Sequence, residues 1–180
     1  MHECLERILY PQEELERRVR ELAAEISHDY EGKNLLLVGV LKGAIIFLAD
    51  LSRALTIPHE FDLIGAASYH RGTESSGQVR ITKDIENVLH DKDVLLIEDI
   101  YDSGRTLQKI RELVLVREPR SLEVCCLLEK HEAHLADLPV KYVGFQIPNV
   151  FIVGYGLDFA ERFRHLKDIG VLKRSVSEQA

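Results

Sequence analysis

The sequence predicts an α/β fold, a parallel sheet covered by helices on both faces. Two observations carry this. Short apolar runs without alternation recur, LLLVGV at 35–40 and VLLI at 94–97 among them. Segments with helical spacing separate them, and strands buried on both faces by such helices belong to parallel sheets.

Each element follows in turn. Pro11 opens a helix with Leu15, Val19, Leu22, Ala23 and Ile26 on one face. Glu13 and Glu14 stand in its first turn, where the helix dipole favours acids. Residues 35–40 form a buried strand, and GAIIFLADLSRAL from Gly43 a largely apolar helix. Residues 61–69 form a second strand broken by small residues. The run HRGTESSGQ, 70–78, is a polar connection, and 79–82 a return strand. Residues 94–97 are the third apolar strand. A helix over 106–116 places Leu107, Ile110, Leu113 and Val114 together. Shorter strands are expected at 122–128, 142–145 and 151–153, and a polar tail after Val171.

The 180 residues suit one domain, 1–180. With 46% hydrophobic and 29% charged residues the chain has material for a true core. A net charge of -7 argues against a broad nucleic-acid or anionic-membrane surface. Cys4, Cys125 and Cys126 form no CxxC, so reduced thiols in a cytoplasmic protein are expected. The opening stretch MHECLERILYPQEELERR has no apolar core and does not read as a signal peptide. No apolar run approaches the roughly 20 residues that cross a bilayer.

The chemistry concentrates in VLLIEDIYDSGRTLQKI, 94–110. Gly104 permits a turn closed to bulkier residues. The amides of that turn and of the helix after it converge on one point at the positive end of the helix dipole. Ser103 and Thr106 add hydroxyl donors, so a phosphate monoester fits. Glu98 and Asp99, ending a buried strand, are costly unless something engages them. Sugar hydroxyls donate hydrogen bonds and acids accept them. A ribose 5′-phosphate satisfies both halves.

An apolar strand, Glu-Asp, two residues and then Asp-Ser-Gly-x-Thr resembles the phosphoribosyl diphosphate (PRPP) fingerprint of type I phosphoribosyltransferases. VLKGA (40–44), SYHRGTESSG (68–77), LLEK (127–130) and VGFQIPNVFIVGYGLDFAERFR (143–164) resemble one branch, the hypoxanthine-guanine phosphoribosyltransferases, in the right order. The resemblance implies the type I phosphoribosyltransferase fold with a small hood lobe and a flexible lid loop. It implies purine salvage: hypoxanthine or guanine plus PRPP gives IMP or GMP plus pyrophosphate, with Mg²⁺. Dimers or tetramers are expected.

The resemblance also assigns roles. Glu98 and Asp99 match the pair that holds the ribose hydroxyls. Asp102 matches the acid near N7 of the purine, the general base or acid. Ser103, Gly104, Arg105 and Thr106 match the 5′-phosphate loop, Arg105 through its amide. Lys42 and Gly43 match the pyrophosphate loop, where the Leu-Lys bond can be cis, and Arg164 a guanidinium that meets the diphosphate. Lys130 matches the donor to O6, which suits hypoxanthine and guanine and not adenine. Phe151 matches the stacking aromatic, Ile152 the residue whose backbone meets the base edge, and Asp158 a magnesium ligand near the base. The resemblance makes Glu98, Asp99 and Asp158 the expected metal-binding residues. Ser68 and Tyr69 match the lid.

His131, Glu132 and His134 depart from the branch's pattern, and HEAH lacks the spacing of a zinc helix. GYGLDF (154–159) lacks the third glycine of a dinucleotide motif, which disfavours an oxidoreductase. A xanthine-preferring enzyme is a neighbouring reading. A PRPP-responsive RNA-binding regulator on the same fold would need a basic face, which this charge balance does not supply.

Overall fold

The computed structural model describes residues 4–71, 74–130, 135 and 138–177, without the side chains of 67–79 and 177. In chain order the elements are β1 (Leu5–Tyr10), α1 (Gln12–Asp29), β2 (Leu35–Leu41), α2 (Ile45–Ala54), β3 (Glu60–Arg71), β4 (Glu74–Lys83) and β5 (Asp93–Tyr101). Then come α3 (Arg105–Leu115), β6 (Ser121–Glu129), β7 (Tyr142–Gln146), β8 (Ile152–Val153), β9 (Ile169–Leu172) and α4 (Arg174–Ser177).

Six strands form the main sheet in the order β4-β3-β2-β5-β6-β7. All neighbours are parallel except β3 and β4. Along the central strands successive side chains enter opposite cores, as the period of two requires. Leu35, Leu37, Leu95, Ile97, Cys125 and Leu127 pack with α1 and α2. Leu36, Val38, Val94, Leu96, Val124 and Cys126 pack with α3 through Leu107, Ile110 and Val114. This explains the adjacent cysteines: each fills a different core. Burial pushes both thiols up, which keeps them inert.

Two expectations are corrected. The stretch after Val171, read as a polar tail, begins with the last residue of β9 and goes on into α4, and the charged N-terminal segment, which was given no element, forms β1. Strands β1, β9 and β8 make a separate three-stranded antiparallel sheet, the hood. Its small core is Leu5, Val153, Leu166 and Leu172. Leu5 pairs with Leu172 from the far end of the chain, so no local pattern announces the partnership. The hood also caps α1. Pro11 offers no side-chain cap, and Asp168 Oδ1 accepts the Gln12 amide at 2.8 Å instead.

The second correction concerns 70–78, read as a connection. The backbone of β3 runs to Arg71 and that of β4 begins at Glu74, with pairing as far out as Arg71↔Glu74. Ser68 and Tyr69 lie on β3, and their side chains fall outside the described residues, as do His131, Glu132 and His134. Among the described residues no helix is long and apolar enough to cross a membrane.

Candidate active site

Because β2, β5 and β6 are parallel neighbours, their carboxyl ends open on one side of the sheet, where ligands of such folds bind. Three loops leave there, carrying Lys42–Gly43, Glu98 to Thr106, and Lys130.

The loop after β5 enters α3 through Gly104, which has φ 78 and is the N-cap of the helix. An L side chain is disfavoured at that angle. No side chain caps α3, and its first turn holds no acid. The initial amides of a helix lack intrahelical acceptors, so this end is arranged for an external anion. Ser103 and Thr106 are half-buried beside it and Arg105 is exposed.

Asp99 is buried and Glu98 half-buried, and the two carboxyls lie close enough to shift each other's titration. Asp99 Oδ1 also accepts the Ile100 amide at 2.9 Å. Burial holds the Glu98 carboxyl well above the usual range, and the charge of Asp99 adds to it. Burial raises Asp99 too, against the neighbouring Glu98 side chain, the Ile100 amide and the pull of Arg164. Glu98 Oε2 is buried with no hydrogen-bond partner among the described residues. An orphaned acceptor on a carboxyl pair held back from ionising is suited to hydroxyl donors or a cation.

Asp102, with a half-exposed side chain, receives Lys130 Nζ on Oδ2 at 3.2 Å. Lys130 is 7% exposed, an unusual position for a lysine. Its backbone is tied down, with its amide donating to the Tyr101 carbonyl at 2.9 Å. The acid and the ammonium thus stand side by side at the ends of adjacent strands.

The third loop follows β2. The Leu41–Lys42 peptide is cis. A Cβ on Gly43 would lie 1.7 Å from Asp99 Oδ2, so the loop backbone rests directly on the acid pair. On its other side the Gly43 carbonyl meets Gly156, whose Cβ would lie 2.0 Å from it.

The hood side supplies the rest. Phe151 is 53% exposed and meets the edge of Phe159, centroids 5.6 Å apart at 88°. Its carbonyl accepts the Leu172 amide of β9 at 3.2 Å. Ile152 is buried behind it. Arg164 donates from Nη1 to the Gly156 carbonyl at 2.7 Å and pairs through Nη2 with Asp158 Oδ1 at 2.8 Å. Its Nε is buried without a partner among the described residues.

The structure therefore gathers Gly43, Glu98, Asp99 and Arg164 in one place, Asp102 with Lys130 in another, and Phe151 beside Ile152. It does not gather the three acids expected to bind a metal. Among the described residues no three His, Cys, Asp or Glu side chains form a metal cluster, and Asp158 is engaged by Arg164 and by the Glu161 amide at 2.9 Å. Sequence reading also missed Gly156, Phe159 and Glu161. Glu161 stands three residues before Arg164 with opposite charge, which was the one available signal.

A parallel sheet whose strand ends offer an anion-binding turn, a buried acid pair and a lysine–aspartate couple defines a sugar-phosphate-binding α/β protein. Comparison places it more finely. The phosphoribosyl transferase domain model matches residues 7–160, and the chain belongs to that family. It is 45% identical to a hypoxanthine phosphoribosyltransferase of Salmonella typhimurium over 165 residues, 91% of this chain and 93% of the relative. With a hypoxanthine-guanine phosphoribosyltransferase of Streptococcus mutans it shares 43% identity over 176 residues, 98% of each. The crystal structure of a hypoxanthine phosphoribosyltransferase from Staphylococcus aureus superposes with TM-score 0.94 at 44% identity, covering 98% of this chain and 96% of that one.

Proposed function

We propose that residues 1–180 act as a single domain that transfers the phosphoribosyl group of PRPP to hypoxanthine or guanine, forming IMP or GMP and pyrophosphate. The observation that carries the choice of base is the Lys130–Asp102 couple at 3.2 Å. An ammonium donates to O6 of a 6-oxopurine and finds no acceptor in the amino group of adenine. Asp102, adjacent, takes or returns the proton at N7. Phe151 stacks on the base, and the Ile152 backbone meets its edge.

The sugar and phosphates follow. The amides around Gly104, with Ser103, Arg105 and Thr106, hold the 5′-phosphate. Glu98 and Asp99 accept the ribose hydroxyls, an arrangement supported by the orphaned Glu98 Oε2. Lys42, the Gly43 backbone and Arg164 meet the diphosphate. The reacting sugar passes through a cation-like state, so fixing both partners matters more than a strong nucleophile. Ser68 and Tyr69 belong to the lid that excludes water over it.

Mg²⁺ fits this site as an ion that arrives with substrate. It favours one or two carboxylates plus substrate oxygens over an all-protein cage, and among the described residues no three-acid cluster forms. Asp158 would hold the ion near the base, as the family resemblance implies, and Glu98 and Asp99 would act beside it through the ribose hydroxyls. When bound, the ion neutralises charge on the departing diphosphate.

We also infer a homodimer or homotetramer working in the cytoplasm. Ile45 and Phe61 are exposed and line an apolar groove of about 290 Å³ with Leu48 and Leu63, which suits a protein partner. The three cysteines are free, as in a reducing compartment.

The test is a spectrophotometric assay with PRPP and hypoxanthine, guanine, xanthine or adenine, with and without Mg²⁺. Turnover of the first two, dependent on Mg²⁺, is expected. Reaction with xanthine alone would overturn the base assignment, and no reaction with any base would overturn the activity. A second measurement addresses Lys130 directly. Lys130→Met should raise KM for hypoxanthine and guanine by about 10- to 100-fold, the range for losing a charge-assisted hydrogen bond. KM for PRPP should stay within about twofold, since Lys130 touches neither phosphate group in this reading. Unchanged base KM would remove Lys130 from base recognition.

A further inference from the structure

Glu161 has no part in the chemistry described so far. It lies in a tight loop with φ 62, directly after Ala160 with φ 49. Its amide donates to Asp158 Oδ2 at 2.9 Å. Its carboxylate reaches two cations. Oε2 accepts Lys42 Nζ at 2.8 Å, across 119 residues of sequence, and Oε1 accepts Arg164 Nη2 at 3.5 Å. Lys42 and Arg164 are the two side chains assigned above to the diphosphate.

A folding role explains this poorly. The Lys42 and Glu161 side chains are 65% and 66% exposed, and ion pairs that open to solvent add little to stability. What its position does accomplish is charge balance. One carboxylate, an oxygen on each cation, presents the two groups with what an oxyanion of diphosphate would present. Pairing with Lys42 accordingly pulls the Glu161 carboxyl below its usual range.

The geometry points to Glu161 as an internal occupant of the diphosphate subsite, a residue that acts through Lys42 and Arg164 by competing with pyrophosphate for them. This rests on the diphosphate role proposed for Lys42 and Arg164. PRPP binds by displacing the carboxylate, which is exposed and free to swing outward. When the product pyrophosphate loosens, the carboxylate returns to the same cations and hastens its departure. The chain thereby weakens its hold on a tetra-anionic product without altering the groups that meet it.

The test is calorimetric titration of the full-length protein with magnesium pyrophosphate, for wild type, Glu161→Gln and Glu161→Ala. Both variants should bind pyrophosphate about tenfold more tightly, a change of about 1.4 kcal/mol. In steady state, the inhibition constant of pyrophosphate and KM for PRPP should fall, while KM for the base stays constant. A purely structural role moves affinity the other way, because a slackened loop binds less well. Unchanged or weaker pyrophosphate binding in both variants overturns the inference. Wild-type protein that binds no pyrophosphate overturns the diphosphate assignment itself, and this inference with it.

Discussion

Asp102→Asn is expected to lower kcat for hypoxanthine and guanine by about 10²- to 10⁴-fold, the span attributed to one positioned proton-transfer group. The substitution is nearly isosteric. The side chain is half-exposed, so the fold has little reason to change. What disappears is the group that can accept a proton, together with the charge that faces Lys130 Nζ at 3.2 Å. The second loss leaves an almost buried ammonium short of its counter-charge, so KM for the base should also shift, by less than kcat does. PRPP binding should stay within about threefold, because the proposed function gives its 5′-phosphate to the amides around Gly104 and its ribose to Glu98 and Asp99. Single-turnover kinetics separate the two effects: a slow chemical step with normal PRPP affinity supports the role. A variant that turns over as fast as wild type would remove Asp102 from proton transfer.

Much of this site was legible because its residues are local in sequence. The acid pair, the turn and the start of α3 fall within a single stretch, 94–110, so their order along the chain already places them at one strand end and one helix start. The central strands were equally readable, since burial on both faces writes itself as uninterrupted apolar runs. Illegible features share the opposite property. Pairing of Leu5 with Leu172 joins the two ends of the chain, and β9 is only four residues long. Yet β9 holds the backbone of Phe151, whose carbonyl accepts the Leu172 amide at 3.2 Å. The Lys42–Glu161 contact spans 119 residues, and opposite charges on a surface are too common to nominate a pair. The resemblance could name Asp158 as a metal-binding acid. It could not say that Arg164 and the Glu161 amide already hold it.

Gly43→Ala should reduce kcat/KM for PRPP by at least about a hundredfold, although it adds one methyl group. The methyl would stand 1.7 Å from Asp99 Oδ2 and 2.5 Å from Asp99 Cγ, far inside contact distance. Asp99 has little room to retreat: it is buried, and its Oδ1 accepts the Ile100 amide at 2.9 Å. Nor can the loop simply drop back, since its carbonyl already abuts Gly156. Relief must come either from lifting the loop, which displaces Lys42 and the backbone facing the diphosphate, or from turning Asp99 away from the ribose. A misplacement near 1 Å of a positioning group costs on the order of 10²-fold. Overpacking of this kind costs about 1–3 kcal/mol, so thermal unfolding should come roughly 2–12 °C earlier in a chain of this size. Gly104 and the phosphate turn lie on a separate loop, so GMP affinity should fall less than pyrophosphate affinity. Equal losses for the two ligands would mean that the substitution disrupts the whole site. Wild-type kcat/KM would mean that the loop and the acid pair are not in the contact that the glycine implies.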